Sequence, residues 1–428
     1  MVYTRNMKTH QELGQELELY MMHEFSGGSA FLLPNGVKIW RALEEYFRNE
    51  YKKRGYKEVI TPVIASKKLF EQSGHLTNYK ENMFGVIPCV NLDNPSEEIS
   101  NDPELYLCPM NCAKHCLIFA NNLKSYRDLP LRLADFCCLH RNEASGALRG
   151  LSRLKKFSQD DAHIFCTYDQ IETEIRSCMN FLQDTYSLFG FEYRVTLSTR
   201  PDKFMGNLEI WQNAEEVLAN TLSSMNLEYT IKDKDGAFYG PKIDIMIKDA
   251  LGREVQCGTI QLDFQLPDKF NLEYKNNVGS FSQPVIIHRA ICGSIERMMS
   301  ILIEHFQCKF PLWLSPYQVA IVPISHKDEF IDYCYNLKNM LLQFAPRLDS
   351  IYVYDSRDSL NYKLVDTDLK MFNYVIVIGK KEIESNTITI RIDNHKKNNK
   401  LLIPVEEFFN NVKNSYYDIT LNSNNSTA

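Results

Sequence analysis

The periodicity of this chain changes once, at Pro311-Leu312-Trp313-Leu314-Ser315-Pro316, and that change limits the folds open to it. Beyond it, Gln318 to Pro323, Phe330 to Phe344, Ser350 to Tyr354, Leu360 to Met371 and Tyr374 to Ile378 read as strand, helix, strand, helix, strand. Strands alternating with helices of this length predict a small α/β domain with a mainly parallel sheet, because parallel neighbours need a crossover connection. Before the change, the strand-like runs Glu192 to Leu197, Ile243 to Ile247 and Thr259 to Phe264 surround a helical segment at Trp211 to Ser223. Val285 to Ile287 is a strand that leads to a helix at Ser294 to Phe306. That half is an α/β mixture dominated by hairpin-like spacing. Its start reads as a helix at Gln11 to His23, a break at Phe25 to Gly36, an amphipathic helix at Val37 to Tyr51 and a β-rich Glu58 to Pro62. The polar stretch Pro88 to Pro103 predicts a surface loop, and the Ser/Asn-rich end Asn422 to Ala428 a frayed terminus.

Composition narrows the classes. With 44% hydrophobic and 24% charged residues in 428, the chain is globular rather than disordered. No run approaches the roughly 18 apolar residues that cross a bilayer, so no membrane partner is expected. A net charge of −6 leaves nucleic-acid binding to local patches. Twelve scattered cysteines, including the neighbours Cys137 and Cys138, fit a reducing compartment better than a disulfide framework. Met1 to His10 lacks both the apolar core of a signal peptide and the Arg/Ser-rich stretch of a transit peptide.

Two segments carry chemistry. His140-Arg141-Asn142-Glu143 is followed by Arg149, Arg153, Lys155, Lys156, Phe157 and Asp160-Asp161 in a strand-loop-strand pattern. Two arginines across a Gly-containing loop can hold two phosphates of one ligand with planar forks, while Phe157 offers a face to a base. The same segment would also serve as a solvated hairpin with ion pairs. Ile287 to Arg297 reads as a strand, a Gly-containing turn and a helix whose first turn carries Glu296 and Arg297. A helix start with unpaired N–H groups and an arginine faces phosphate well, although both charges would suit an ordinary helix surface.

Together these segments resemble the second and third signature motifs of class II aminoacyl-tRNA synthetases, and Pro62 after the Val37 to Tyr51 helix resembles the first. The stretches Met110-Asn111-Cys112, Ser125 to Pro130, His140 to Glu143, Phe157 to Phe165, Tyr239 to Lys242 and Gly258 to Phe264 resemble the threonyl-tRNA synthetases in particular, over about Gln11 to Phe409. The resemblance implies an α+β catalytic domain, an antiparallel sheet flanked by helices, followed by a small α/β anticodon-binding domain. The divisions expected are 1–35 for an N-terminal helix and linker, 36–312 for catalysis and 313–428 for the anticodon.

It also implies roles. Cys112, His163 and His288 would hold one Zn²⁺ with room for substrate, as in open zinc sites. The amino group and hydroxyl of threonine would occupy that room, so that valine, which lacks the oxygen, is refused. Gln159, Asp161, Tyr239 and Gln261 would line the amino-acid pocket. Arg141 would meet the α-phosphate of ATP, and Arg153 and Arg297 the outer phosphates, bridged by Mg²⁺. Phe157 and the Arg297 guanidinium would enclose adenine, with Glu143, Gln256 and Thr259 holding base and ribose. The implied reaction is in-line attack of the threonine carboxylate on the α-phosphorus, then transfer to the terminal ribose of tRNA(Thr), with His75 helping to deprotonate that hydroxyl. Non-catalytic relatives typically lose the motif arginines, whereas Arg141, Arg153 and Arg297 are all present.

In the last domain Glu382 and Arg391 match positions implicated in reading anticodon bases. Asp358 stands where an amide is usual and Met371 where a basic residue is usual, which points to an unusual anticodon loop. Ala113-Lys114 replaces the usual Pro-Gly after Cys112. The chain begins almost directly at the catalytic linker, so no editing domain is expected in cis. That short form and the Asn/Lys-rich composition resemble a fungal mitochondrial enzyme of the budding-yeast type, which implies the mitochondrial matrix. Pairing through the first motif implies a homodimer.

Overall fold

The computed structural model describes residues 7–89, 101–249, 252–391 and 400–417. Residues 90–100 of the expected Pro88 to Pro103 loop, and the expected frayed end Asn422 to Ala428, lie outside them. By packing, the chain divides into two compact units, 22–31 with 44–301 and 1–21 with 32–43 and 302–428.

The larger unit is built on a nine-stranded sheet. Its strands are β1 (Lys57–Glu58), β2 (Leu131–Asp135), β3 (Cys138–His140), β4 (Lys156–Cys166), β5 (Tyr193–Ser198), β6 (Tyr229–Lys232), β7 (Lys242–Lys248), β8 (Glu254–Asp263) and β9 (Val285–Ser294). They lie in the order β6-β5-β7-β8-β9-β4-β2-β1, and β3 pairs beside β4. From β5 to β2 every pairing is antiparallel; the edge pairs β5/β6 and β1/β2 are parallel. The sequence supports this because β7, β8 and β9 are rich in Ile, Val and Thr, which suit a pleated, half-buried surface.

Helix α1 (Pro34–Lys53) runs from one unit into the other. It buries Ile39, Leu43, Phe47 and Tyr51, spaced three or four apart as one helix face requires. Pro34 at its start supplies a preset φ where no intrahelical donor is needed. In the larger unit, α2 (Cys112–Ala120) packs Cys116 and Phe119 with Leu131, Leu133 and Phe165 of the sheet. The back of the sheet meets α3 (Ile171–Phe189), where Arg289 is fully buried. Its guanidinium lies over Tyr56 at 4.5 Å and Phe181 at 5.2 Å and donates to Asp160 at 3.1 Å. An arginine there is tolerable because its charge is paired and its plane stacked.

Two sequence expectations change here. The first helix stops at Glu16, and Glu18, at φ +50°, turns the chain into a strand at Tyr20–Met22 that pairs with Ala30–Leu32. The third-motif strand does not stop at Ile287 but runs to Ser294, directly before α4 (Ile295–Phe306). Gly293 sits at φ +72°, and a Cβ there would lie 2.7 Å from the Cys257 carbonyl, so only glycine lets the strand turn into the helix.

The second unit carries β10 (Val319–Pro323), α5 (Asp328–Phe344), β11 (Ile351–Val353), α6 (Leu360–Leu369), β12 (Tyr374–Ile378), β13 (Thr387–Arg391), β14 (Lys400–Pro404) and α7 (Val405–Tyr417). Its sheet order is β11-β10-β12-β13-β14. The three strands read from the sequence are parallel, but β13 and β14 add an antiparallel pair, so the sheet is mixed rather than mainly parallel. The N-terminal residues of this unit are tied to it by His10 Nδ1 to Glu304 at 2.7 Å and by Asn35 Nδ2, which donates to the Tyr317 hydroxyl at 2.7 Å.

Candidate active site

Strand alternation places the side chains. His163 of β4 lies directly opposite His288 of β9, Gln261 of β8 opposite His288 on its other side, and Lys242 of β7 opposite Gln261. These four form one row across the sheet. Two residues along each strand, Asp161, Ala290, Thr259 and Asp244 form the next row on the same face. Above that face lies a cavity of about 570 Å³. Its walls include Cys112, Arg141, Glu143, Arg153, Phe157, Gln159, Asp161, His163, Tyr239, Gln256, Thr259, Gln261, His288 and Arg297, all of them singled out from the sequence.

At one end, Cys112, His163 and His288 present ligand atoms within 4.8 Å of one another, all three residues buried. His288 Nε2 lies 2.8 Å from Asp263 Oδ2, an acceptor for it, so Nδ1 is the ring nitrogen turned toward the cluster. That nitrogen is 3.0 Å from His163 Nε2. His163 has a place for its own proton at Nδ1, 2.8 Å from His115 Nδ1. With the His163 proton on Nδ1, both facing nitrogens offer lone pairs that a cation can take up, and the Cys112 sulfur is the third donor. One sulfur and two imidazoles, each held from behind, fit Zn²⁺. The Tyr239 ring stacks on His288 at 4.9 Å between centroids, its hydroxyl donating to Gln261, and Asp161 Oδ1 stands 4.0 Å from His163 Nε2.

At the other end three guanidiniums gather. Arg141 lies over Phe157 at 5.0 Å and donates to the Pro109 carbonyl. Arg297 donates through Nε to the Ser152 carbonyl at 3.0 Å and through Nη1 to the Gln256 carbonyl at 2.9 Å. Burial, with the nearby charges of Arg141 and Arg153, holds Arg297 below the usual arginine value. Arg153 forks onto Glu143 at 2.7 and 3.0 Å. Positive charge exceeds negative here, as an anion site requires.

Residues 96–306 match the tRNA synthetase class II core domain of the G, H, P, S and T enzymes, and residues 318–415 an anticodon binding domain. The crystal structure of the RNA binding domain of threonyl-tRNA synthetase from Cryptosporidium parvum is 41% identical, with a TM-score of 0.87 over 95% of this chain and 98% of that one. The chain belongs to the threonyl-tRNA synthetase family. Two human relatives, threonine–tRNA ligase 1, cytoplasmic, and threonine–tRNA ligase, mitochondrial, are 47% and 46% identical over 91% of this chain. It covers 52% and 55% of them, so it spans about half the length of the curated relatives it matches.

Against that family pattern, several residues stand differently from the sequence expectation. Glu296 is no surface charge: it is 3% exposed and accepts from the Ser158 N–H at 2.9 Å. Burial pushes its carboxyl up to about 7. Between pH 4.5 and 7 the folded state therefore binds more protons than the unfolded one, so this group costs stability as pH rises. Glu296→Gln is expected to gain about 2 kcal/mol relative to wild type on going from pH 5 to pH 8. Denaturant titration at both pH values measures it, and an unchanged difference would exclude a raised Glu296. His75 is buried, with Nδ1 2.8 Å from the Ser73 hydroxyl and Nε2 3.1 Å from Met110 Sδ and 3.6 Å from Cys112 Sγ. It therefore lies against the Cys112 sulfur rather than among the residues of the cavity wall.

In the second unit Glu382 accepts from Thr389 and from the Gly379 N–H, and Arg391 donates to Asp368 at 3.1 Å, so both have partners within the domain. Asp358 is exposed. Sequence reasoning missed Lys242 and Asp244 as a pair. Lys242 lines the cavity and donates to Asp244 at 2.7 Å, and Asp244 also accepts from Gln256 at 2.6 Å and from Ser198 at 2.9 Å. Two polar residues at i and i+2 among the isoleucines of β7 were the available signal.

Proposed function

We propose that the chain ligates threonine to tRNA(Thr) at the expense of ATP, through a threonyl-adenylate. The observation that supports this most is one cavity with a Cys/His/His cluster at one end and three guanidiniums at the other, as far apart in kind as an amino acid's hydroxyl and a nucleotide's phosphates. A Zn²⁺ held by Cys112, His163 and His288 would supply open positions for the amino group and hydroxyl of threonine. Asp161, Gln159, Tyr239 and Gln261 orient the amino acid around it. Arg141 draws charge from the α-phosphate during carboxylate attack, and Arg153 and Arg297 hold the outer phosphates with Mg²⁺. Catalysis is then positioning and charge neutralisation, with no protein nucleophile. For ATP to bind, Arg153 must exchange its Glu143 partner for phosphate, which releases Glu143 toward the base. Residues 36–312 are assigned to this step and 313–428 to the anticodon.

The chain is further read as a homodimer that pairs through the Pro62 segment, where Ile60 is 91% exposed beside exposed Val63 and Ile64. The matrix location rests on the sequence likeness alone, since relatives of both compartments are about equally similar. Threonine-dependent exchange of pyrophosphate into ATP tests the first step. Threonine should support it, serine should support it measurably because it also carries a hydroxyl and an amino group, and valine should fall roughly 10⁴-fold below threonine. Valine within tenfold of threonine would remove hydroxyl recognition. Threonylation of standard and variant-loop transcripts in the same assay tests the role of Asp358 and Met371, and activity on standard loops alone would remove the altered-loop reading.

A further inference from the structure

We infer that His115 is a positioning residue that fixes the tautomer of His163, with Asp135 holding His115 from behind. The inference rests on the metal reading above and goes one layer outward from it. Cys112 and His115 lie on the first turn of α2, and both are buried, His115 completely. The two Nδ1 atoms of His115 and His163 approach to 2.8 Å, with ring planes 87° apart. Only one proton fits between them. For His163 to offer Nε2 toward His288, its proton must sit on Nδ1, so His115 must accept there and carry its own proton on Nε2.

That Nε2 is buried without a hydrogen-bond partner, and Asp135 Oδ2 lies 3.7 Å away. Asp135 is itself aimed, taking the Cys137 N–H at 2.8 Å on Oδ1 and the Thr61 hydroxyl on Oδ2. The carboxylate favours the Nε2-protonated form of His115 and disfavours the other, because only the first puts a donor toward it. His288 has Asp263 directly behind it at 2.8 Å, whereas His163 receives its carboxylate through an intervening imidazole. The two ligands are thus oriented by different devices, and the His163 side depends on a residue one helical turn after Cys112.

Three variants test this: His115→Leu, which removes the acceptor; His115→Asn, whose amide oxygen can stand in for Nδ1; and Asp135→Asn. The readouts are the zinc dissociation constant by competition with a chromogenic chelator, the absorption spectrum of the Co²⁺-substituted protein, and the melting temperature after metal removal. His115→Leu should weaken zinc binding about 10- to 100-fold and alter the Co²⁺ bands, and His115→Asn should restore binding to within about threefold of wild type. Asp135→Asn should weaken it roughly tenfold. A merely structural His115 would lower the metal-free melting temperature and leave the dissociation constant unchanged, which would overturn the inference. So would an Asn variant as weak as the Leu variant. If His115→Leu does not fold, Asp135→Asn decides, an unchanged constant again overturning it. A wild-type protein that takes up no zinc would instead overturn the metal reading, and this inference with it.

Discussion

Cys112→Ala is expected to abolish threonine activation while leaving ATP binding near its wild-type strength. Cys112 is 2% exposed on the first turn of α2, and removing its sulfur takes away one of three candidate donors without opening a large hole. Two imidazoles alone, with nitrogens 3.0 Å apart, cannot hold a cation against water as the three-donor set does. The amino acid then loses the feature that distinguishes it from valine, since the remaining walls offer shape and a few hydrogen bonds. A site built around a hydroxyl loses about 10⁴-fold when that contact is lost, so threonine-dependent exchange should fall roughly 10³-fold or more. Nucleotide binding should persist because Arg141, Arg153 and Arg297 are held by Pro109, Glu143, Ser152 and Gln256 and not by Cys112. Exchange at saturating threonine, with calorimetric titration of ATP, measures both. Threonine exchange within tenfold of wild type in a zinc-free Cys112→Ala protein would remove metal-based recognition and leave the nucleotide site untouched.

The contrast between those two ends also bears on what the sequence could reveal. The spacing before Pro311 placed β5 and β7 to within a residue at each end, but it began β8 five residues late and ended β9 seven residues early. Asp161 with His163, Thr259 with Gln261 and Lys242 with Asp244 each show the i, i+2 step of one strand face. What no local spacing contains is register. That His163 faces His288 follows from the pairing of β4 with β9, which is fixed by packing of both sheet faces rather than by either strand alone. Only the family likeness grouped Cys112, His163 and His288 from sequence. The layer behind them was less legible still: Asp263 looks like one more polar residue at a strand end, and His115 like an interior helix histidine, until the fold brings them against ring nitrogens. Glu296, read with Arg297 as part of a phosphate-facing helix start or else as a surface charge, instead turns inward, where the Ser158 N–H donates to it. The antiparallel pair β13/β14 escaped notice because a hairpin appended to a parallel sheet breaks the alternation that revealed the rest.

Arg297→Lys is expected to cost about 10²- to 10³-fold in kcat/KM for ATP with little change in stability or in KM for threonine. Charge is conserved in this variant, so the expected loss tests geometry. Arg297 spends Nε on the Ser152 carbonyl and Nη1 on the Gln256 carbonyl, each at about 3 Å, and these contacts lock the plane of the fork so that Nη2 remains for the nucleotide. A lysine ammonium can reach one carbonyl or a phosphate but cannot hold two fixed points while presenting a third donor. It also lacks the flat face that a guanidinium offers to adenine. Arg141, whose plane is already stacked on Phe157, cannot turn to cover the vacancy without giving up that contact. Pyrophosphate exchange across ATP concentrations, beside a thermal melt of each variant, separates a mispositioned phosphate from a destabilised fold. A lysine variant that keeps kcat/KM within about threefold would mean that Arg297 acts as a point charge, and the proposed adenine contact would then have no support.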